Sequence, residues 1–457
     1  MKTIVQKLPA YKEAADIFEL YKNEPMAVFL DSALENELGR YSIIGRYPYL
    51  TLKEEDGICY KNDIPQNESF EEGISRILRD CHEEHSFDLP LIAGAIGYVS
   101  YDYGRKFEHI RTRHPKKLRM PEASFTFYDL LIIEDHKEKA LYLTARGETG
   151  DANQLIAQTI QEISDCVPRS IPPQRSSFSD IASSVSSAIQ PNFTKEDYKS
   201  AIDRMISYII EGDIYIANMT QQLCVTSARD PYDVYRHLRT YNPAPFGGYM
   251  NFGDFQIASA SPERFLLVKD GIVETRPIKG TRKRGATPEE DAALKQELFT
   301  SSKDRSELLM IVDLERNDLN HVCKPGSVRV TKHFDVETYA TVFHLVTTIT
   351  GELHDRLSIM DLIRAAFPGG SITGAPKIRA MEIIDELEHD RRGLYTGSMG
   401  YLSLDGSCDF NIIIRTAVHQ DGIYHLGVGG GITCESELEF EYEETLQKAR
   451  AVIDAIL

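Results

Sequence analysis

Two Asp-Gly pairs constrain the fold of this chain more than any other feature of its sequence. Asp270-Gly271 and Asp421-Gly422 each separate two runs that are rich in β-branched and aliphatic residues. Because Asp-Gly favours the tight turns that join neighbouring antiparallel strands, each pair predicts a β-hairpin. The strand before the second turn is expected to cover residues 410–418. Antiparallel strands are therefore expected to form a main part of the fold.

Helical patterns lie outside these hairpins. Thr194 begins a capping pattern, and apolar residues recur after it at helical spacing until Gly212 ends the run. Thr287, followed by Pro288 at the first helical position, opens a second helical region that is expected to reach towards Asp318. The sequence therefore predicts a mixed fold of α-helices and antiparallel strands.

The composition changes once along the chain. Residues 166–191 are dense in serine and proline. Such a segment cannot bury enough apolar surface to order itself, so it predicts a linker or a mobile surface loop. It divides the chain into an N-terminal region, residues 1–165, and a C-terminal catalytic region, residues 192–457.

The charge balance limits the classes of partner. The 457 residues carry 51 Lys and Arg against 70 Asp and Glu, a formal charge of −19, which argues against nucleic acid or an anionic membrane as the main partner. Seven cysteines without a C-x-x-C pair indicate a reduced chain with no disulfide framework or zinc ribbon. No apolar run approaches the roughly 20 residues of a membrane span. We expect a soluble, cytoplasmic protein.

One basic segment contrasts with this acidic chain. Residues 276–284 contain five cations in nine positions, and strand alternation would place Thr275, Pro277 and Lys279 on one face. The segment is either an anion pocket or a solvated basic loop that contacts phosphate at most. A lysine that is desolvated or crowded by cations loses its proton well below its usual pKa of about 10.4 and becomes a nucleophile. Lys279 is therefore a candidate nucleophile.

A glycine-rich stretch, residues 427–431, follows the second hairpin. Consecutive glycines let backbone N–H groups converge on a carboxylate or phosphate without interference from side chains. The alternative is a simple turn, since the stretch matches no P-loop and no G-x-G-x-x-G that opens a helix.

Glu307 lies on a predicted apolar helix face. It shares that face with Met310, Ile311 and Leu314. A buried carboxylate needs a partner, and Mg²⁺, which prefers one or two carboxylates plus substrate oxygens, is one candidate. The alternative is a glutamate that pairs with an arginine or borders a cleft.

Two further carboxylates are candidates. Glu263 lies on a tight turn between two strands, where it could act as a general acid or base or simply form an ion pair. Glu444 lies on the last helix, and periodicity permits it to face a cleft. The buried stripe of that helix is expected to consist of Leu446, Ala449, Ile453 and Ile456.

Taken together, these strings resemble the chorismate-utilising enzymes over nearly the whole chain. The most specific strings are SPERF (261–265), RPIKGT (276–281), LMIVDLERNDL (309–319), HLVTT (344–348), FPGGSITGAPK (367–377), YTGSMGY (395–401), RT (415–416) and GGGIT (429–433). The resemblance implies an α+β fold of two subdomains, whose large, mainly antiparallel sheets pack face to face with helices outside and the active site in the cleft.

The resemblance also implies roles for individual residues. The implied catalytic residues are Glu263, Lys279 and His344. The implied substrate-binding residues are Gly280, Thr281, Ser371, Tyr395, Arg415, Gly429, Gly430 and Gly431. The implied Mg²⁺ ligands are Glu307 and Glu444. In this scheme the metal holds the ring carboxylate of chorismate, and Glu263 protonates the departing 4-hydroxyl.

Lys279 indicates the branch of the family. Synthases that make anthranilate, isochorismate or salicylate typically carry a small residue at this position, whereas a lysine resembles the aminodeoxychorismate synthases of p-aminobenzoate and folate synthesis. There the amine forms an adduct at C2 before ammonia attacks C4. The alternative is component I of an anthranilate synthase, for tryptophan synthesis. No cysteine lies in a glutaminase context, so a separate glutamine amidotransferase subunit is the expected ammonia source.

Overall fold

The computed structural model describes residues 2–168, 188–339 and 342–457. The strands are β1 (Ile4–Lys7), β2 (Val28–Asp31), β3 (Tyr41–Glu55), β4 (Ile58–Lys61), β5 (Ile64–Pro65), β6 (Gly94–Val99), β7 (Ala123–Asp135), β8 (Ala140–Ala145), β9 (Ile189–Pro191), β10 (Ile216–Thr226), β11 (Phe246–Asn251), β12 (Gln256–Ser261), β13 (Arg264–Lys269), β14 (Ile272–Thr275), β15 (Ile278–Lys283), β16 (Arg329–Thr338), β17 (Val342–Glu352), β18 (Gly374–Ala375), β19 (Ser398–Ser403), β20 (Cys408–Asn411), β21 (Thr416–Gln420) and β22 (Ile423–Ile432). The α-helices are α1 (Ala14–Phe18), α2 (Phe70–Asp80), α3 (Ala152–Ser164), α4 (Lys195–Glu211), α5 (Pro231–Tyr241), α6 (Pro288–Thr300), α7 (Ser302–Asn320), α8 (Ile359–Ala366), α9 (Lys377–Leu387) and α10 (Leu438–Ile456).

Two long strands, β3 and β7, join two halves of the sheet. They pair along most of their lengths, and β7 pairs with β6 through its first half and with β8 through its second. From there one half continues through β2, β11, β12, β21, β22 and β10. The other half continues through β19, β20, β13, β14 and β17. Every pairing among the described residues is antiparallel.

The two halves pack face to face. One buried cluster combines Met250 on β11 and Ile257 on β12 with Ile96 on β6 and Met399 on β19. Side chains alternate along each strand, so the neighbouring Tyr249 belongs instead to a cluster on the outer face. The predicted α+β class with antiparallel sheets packed face to face is confirmed.

Helices cover both outer faces. Buried side chains of α1, α3, α5 and α10 pack on the half that contains β22, whereas those of α2, α7 and α8 pack on the half that contains β17. Helices α4 and α9 pack together against β10 and the end of β22. No helix among the described residues is both long and apolar enough to cross a membrane.

The N-terminal and C-terminal regions share these sheets. Strand β2 pairs with β11, and β6 pairs with β19, so residues 1–165 contribute to both halves. Of the predicted linker at 166–191, residues 169–187 lie outside the described residues. Its assignment as a linker stays a prediction.

Both predicted hairpins are present, with one correction. Asp270-Gly271 joins β13 to β14, and Asp421-Gly422 joins β21 to β22. The strand before the second turn begins at Thr416, not at residue 410, because the chain leaves β20 at Asn411 and turns.

The predicted helix starts are also confirmed. Thr194 caps α4 by accepting a hydrogen bond from the backbone N–H of Asp197, and Gly212 ends this helix with a φ of 87°. The region that begins at Thr287 forms two helices instead of one, because Ser301 interrupts it and caps α7.

One predicted face is wrong, and a second is correct except at one residue. Thr275, Pro277 and Lys279 do not share one strand face, since β14 ends at Thr275 and β15 begins at Ile278. On α10 the expected residues are buried except Leu446, which is 37% exposed.

Candidate active site

A cavity of about 580 Å³ opens between strands β15 and β22 and the first turns of α7 and α10. It contains every site residue that the sequence predicted. These are Glu263, Lys279, Gly280, Thr281, Glu307, His344, Ser371, Tyr395, Arg415, Gly429, Gly430, Gly431 and Glu444. Residues that are up to 181 positions apart in the printed sequence therefore meet in one site.

Lys279 enters the cavity from an irregular part of β15. The pairing of β15 with β17 shifts between Lys279 and Thr281, and Gly280 has a φ of 72°. A Cβ atom at Gly280 would lie 2.8 Å from the Asp304 carboxyl group, so only glycine fits this bulge. The Nζ atom of Lys279 donates a hydrogen bond to the carbonyl oxygen of Ser371 at 2.9 Å.

The surroundings of Lys279 change the pKa of its amine. Burial lowers the pKa of the amine, and the negative charges of Glu307 and Glu263 partly oppose that shift. A desolvated amine that loses its proton more easily is a better nucleophile.

The arginines of the basic segment are already neutralised. Their ion pairs are Arg276–Glu337, Arg282–Glu297, Arg282–Asp304 and Arg284–Asp291. Of the two interpretations of this segment, these ion pairs argue against an anion pocket formed by all five cations. Of the cations in this segment, Lys279 lines the cavity without an ion pair to any described residue, whereas Arg282 lines it with both of its carboxylate partners in place.

Glu263 is a buried carboxyl group, 6% exposed, on the turn between β12 and β13. Burial raises its pKa, although a hydrogen bond from Ser371 and the charge of Lys279 act in the opposite direction. A carboxyl group with a raised pKa retains a proton that it can donate to a leaving group.

His344 is neutral at physiological pH. It lies on β17 opposite Thr281, whose hydroxyl oxygen is 3.0 Å from its Nδ1 atom. Burial, together with the positive charge of Arg415, lowers the pKa of the imidazole to about 4. His344 can therefore offer a neutral hydrogen bond, but not a positive charge, to a ligand.

Arg415 has no partner for its guanidinium group among the residues that the structure describes. Burial lowers its pKa, which the nearby Tyr395 partly opposes, and its φ of 53° is uncommon for a residue other than glycine. An unpaired guanidinium group in a cavity wall suits a planar carboxylate, which it can bind through two parallel hydrogen bonds.

The glycine-rich stretch is a strand, not a loop. Gly429, Gly430 and Gly431 pair with Thr220, Met219 and Asn218 on β10. On the other side, β21 pairs with β22 only as far as His425. Beyond His425, the edge of β22 that faces away from β10 borders the cavity. Backbone N–H groups on this edge can bind an anion.

Three glutamates approach one another beside this strand. A Cβ atom at Gly430 would lie 3.0 Å from an oxygen of Glu444 and 3.3 Å from one of Glu441. Burial, and then repulsion by Glu444, raises the pKa of Glu441 to about 7. Glu307 makes no hydrogen bond or ion pair with another described side chain, and burial raises its pKa as well.

This set of carboxylates fits Mg²⁺. A hard divalent cation would relieve the repulsion among the glutamates and takes oxygen ligands only. Across the described parts of the chain, no group of three or more His, Cys, Asp or Glu side chains is arranged to hold a metal ion, so Mg²⁺ here would depend on further ligands from the substrate. One or two carboxylates completed by substrate oxygens is the usual arrangement for Mg²⁺.

Sequence reasoning missed several cavity residues. Lys448 donates to the carbonyl oxygen of Gly429 at 2.9 Å and pairs with Glu444 at 3.2 Å. The i, i+4 spacing of Glu444 and Lys448 was the available signal. Asn218, Lys303, Asp304 and Glu441 also line the cavity.

The apolar face predicted around Glu307 is partly wrong. Met310 is 40% exposed, and the stripe that α7 buries contains Glu315 instead. Glu315 accepts a hydrogen bond from the hydroxyl group of Thr275 at 3.0 Å. Burial raises its pKa to about 8, so this carboxyl group is largely protonated at neutral pH.

The chain is similar to known proteins over nearly its whole length. A family model described as chorismate binding enzyme matches residues 30–454. Aminodeoxychorismate synthase component 1 of Bacillus subtilis (strain 168) is 37% identical, over 99% of this chain and 96% of its own length. Anthranilate synthase component 1 of Cereibacter sphaeroides is also 37% identical, over 93% of this chain and 87% of its own length.

A solved structure agrees with the fold. Anthranilate synthase component I from Streptococcus pneumoniae TIGR4 is 31% identical and superposes with a TM-score of 0.80, covering 92% of this chain and 93% of its own. The Bacillus and Cereibacter relatives are both 37% identical to this chain, so overall identity does not separate the two activities.

Proposed function

This chain belongs to the chorismate-binding enzyme family, and on that premise we propose that it is component 1 of an aminodeoxychorismate synthase. It would convert chorismate and ammonia to 4-amino-4-deoxychorismate, the precursor of p-aminobenzoate in folate synthesis. The amine of Lys279, placed in the cavity beside Glu263 and lowered in pKa by burial, is the observation that carries the proposal. The similarity to relatives of that name supports it.

The proposed reaction has two displacements. The Lys279 amine attacks C2 of chorismate, the ring double bond shifts, and the C4–O bond breaks. Glu263 gives its proton to the departing oxygen, which leaves as water, and the Glu263 carboxylate then takes up the proton that the lysine nitrogen loses on bonding to C2. Ammonia then attacks C4, the double bond shifts back, and the C2–N bond breaks to release Lys279. The ammonia nitrogen loses one proton when it bonds to C4, and the lysine nitrogen gains one when the C2–N bond breaks, so the protons of this step balance.

The other site residues are proposed to hold the two substrate carboxylates. Arg415 and Tyr395 would bind the enolpyruvyl carboxylate. The backbone of Gly280 and of residues 429–431 would receive the remaining anionic oxygens, beside Thr281, Ser371 and His344. Glu307 and Glu444 are proposed to hold Mg²⁺, which when bound would neutralise the ring carboxylate.

Ammonia is proposed to come from a separate subunit. The similar proteins are named component 1, and nearly the whole chain is taken up by the match to them. A glutamine amidotransferase is the class of enzyme that releases ammonia for such a reaction. Free ammonium should replace it in vitro.

The alternative product is anthranilate. Relatives named anthranilate synthase component 1 match the chain as closely as 37% identity, and their activity would require amination at C2. In that case ammonia would attack C2 directly, and Lys279 would not form an adduct.

The product decides between these activities. The purified chain is incubated with chorismate, Mg²⁺ and ammonium, and an aminodeoxychorismate lyase is then added. We expect p-aminobenzoate, which appears only after the lyase is present. Anthranilate as the main product, identified by its fluorescence and mass, would reject the proposal in favour of the alternative.

A further inference from the structure

Arg392 is a buried arginine behind the wall of the cavity. Its side chain is 1% exposed and pairs with Glu388, with one N–O distance of 2.7 Å. The guanidinium group stacks on the ring of Tyr101 at 4.6 Å. Arg392 does not line the cavity itself, so it cannot touch a substrate there.

The remaining donors of Arg392 reach three segments that do line the cavity. One Nη atom donates to the carbonyl oxygen of Asn218 at 2.6 Å. The other donates to the carbonyl oxygen of Ile372 at 2.7 Å and to the hydroxyl group of Thr396 at 3.4 Å. A single side chain therefore connects β10, the turn at residues 370–372 and the turn at residues 395–396.

Two of these segments carry a predicted site residue, and the third, β10, pairs with one. Asn218 faces Gly431 across the β10–β22 pair. Ile372 follows Ser371, whose carbonyl oxygen accepts the hydrogen bond from Lys279. Thr396, with a φ of 60°, follows Tyr395. A displacement of any one segment would change the position of a group that faces the substrate.

Glu388 extends the same network. One of its oxygens accepts hydrogen bonds from both the backbone N–H and the hydroxyl group of Thr220, at 3.0 and 2.7 Å. Thr220 pairs with Gly429. The carboxylate neutralises Arg392 and also holds the strand behind the glycine stretch.

The chemistry of this network requires an arginine. A planar guanidinium group offers five N–H donors in fixed directions, whereas a lysine ammonium is a compact charge on a flexible stem. Only the planar guanidinium group can reach one carboxylate and two backbone carbonyl oxygens at the same time.

We propose that Arg392 is a positioning residue for the reaction: it sets the spacing between Asn218, the Ser371 carbonyl that binds Lys279, and Tyr395. The inference rests on the proposed use of Lys279 and Tyr395 at this site. It adds a function for a residue that lies outside the cavity. A misplacement of about 1 Å in an active site lowers a rate on the order of 100-fold.

The test is Arg392→Lys, with Arg46→Lys as the matched control. Arg46 is also buried, pairs with Glu24 and Glu162, and stacks on a tyrosine ring, that of Tyr21. It does not line the cavity or contact its walls through any of these interactions. Both substitutions keep the positive charge and remove the planar guanidinium group.

The readout is chorismate disappearance, so the test does not depend on which amine is formed. We expect Arg392→Lys to lower kcat on the order of 100-fold and to change KM less than about threefold. Arg46→Lys should leave both constants unchanged, even if both variants have a lower melting temperature. A folded Arg392→Lys enzyme with wild-type kcat would overturn the inference.

Glu388→Gln covers the case in which Arg392→Lys does not fold. The amide has the same shape and retains an acceptor for Thr220, but it no longer neutralises Arg392. We expect a loss of kcat in the same direction and again little change in KM. Wild-type kcat in this variant would count against the inference. Formation of anthranilate by the wild-type enzyme would reject the proposed function and the use of Lys279. The kcat comparison on chorismate disappearance would still test whether Arg392 positions the walls of this cavity.

Discussion

The amine of Lys279 lies 2.9 Å from the carbonyl oxygen of Ser371, and this contact joins the bulge of β15 to the turn at residues 370–372. Arg392 holds the same turn from behind, through the carbonyl oxygen of Ile372. The lysine is thus directed into the cavity by contacts on a segment 92 residues later in the chain.

Replacing Lys279 with alanine should abolish formation of aminodeoxychorismate. Removal of a covalent nucleophile lowers kcat by at least about three orders of magnitude. Lys283→Ala is the matched control, because this lysine is exposed on the same strand and does not line the cavity. Product formation is measured with the lyase-coupled assay. Near-normal activity of Lys279→Ala would show that no adduct forms there.

Arg415→Lys should weaken chorismate binding. The change keeps the charge but removes the bidentate geometry, and a hydrogen bond to a charged group contributes about 1.5–3 kcal/mol. KM should rise roughly 10- to 100-fold. Arg282→Lys is the control, since Arg282 borders the cavity but is already paired with Glu297 and Asp304. An equal effect of both substitutions on KM would contradict this assignment.

Glu307→Gln should weaken Mg²⁺ binding by at least about tenfold, because a neutral amide replaces a carboxylate that faces the cavity. Calorimetric titration of Mg²⁺ into the protein measures the affinity directly. Glu443→Gln is the matched control, since Glu443 pairs with Lys195 on the exposed side of α10. Unchanged affinity in Glu307→Gln would remove this residue from the metal site.

Glu315→Gln should stabilise the protein at pH 8 but not at pH 5. Burial raises the pKa of Glu315 to about 8 in the folded state, whereas it is about 4.3 in the unfolded chain. The folded state therefore binds more protons between these values, and the free energy of unfolding falls as the pH rises through that range. The amide remains neutral, so its stabilising effect at pH 8 should exceed that at pH 5 by about 3–4 kcal/mol. Denaturant unfolding at both pH values measures it, and an equal effect at pH 5 would contradict the titration of Glu315.

Gly429→Ala should destabilise the fold, while Gly431→Ala should not. A Cβ atom at Gly429 would lie 2.4 Å from the backbone carbonyl oxygen of Met219, whereas at Gly431 the nearest atom would be 3.5 Å away. A clash with backbone costs roughly 1–3 kcal/mol. Melting temperatures of the two variants test this difference. Equal temperatures would contradict the prediction, because they would mean that β10 can move away from the new Cβ atom at position 429.

Local patterns predicted the parts of the fold that depend on neighbouring residues. The Asp-Gly turns and the Thr194 cap act within a few positions, and both are confirmed. The break after Thr275 was not predicted because alternation alone does not show where a strand ends. Pro277, which has no backbone N–H to donate, follows that break.

The predicted site residues all line one cavity, and the family motifs were the signal that identified the complete set. Periodicity alone misplaced the buried face of α7, where Glu315 replaces Glu307. Arg392 could not be found from local sequence, since its acceptor on Asn218 is 174 residues away. Contacts of this kind are determined only when distant segments pack together.

The pairing of β6 with β19 has a consequence for how the chain is made. Paired residues of the two strands lie about 300 positions apart in the sequence, as Val99 and Ser398 do. At about 5–20 residues per second, a ribosome needs on the order of half a minute to synthesise the second strand after the first. During that time the edge of β6 lacks its later partner, and unpaired edges of this kind bind other chains. A nascent chain of this protein is therefore expected to depend on chaperones until its last third has emerged.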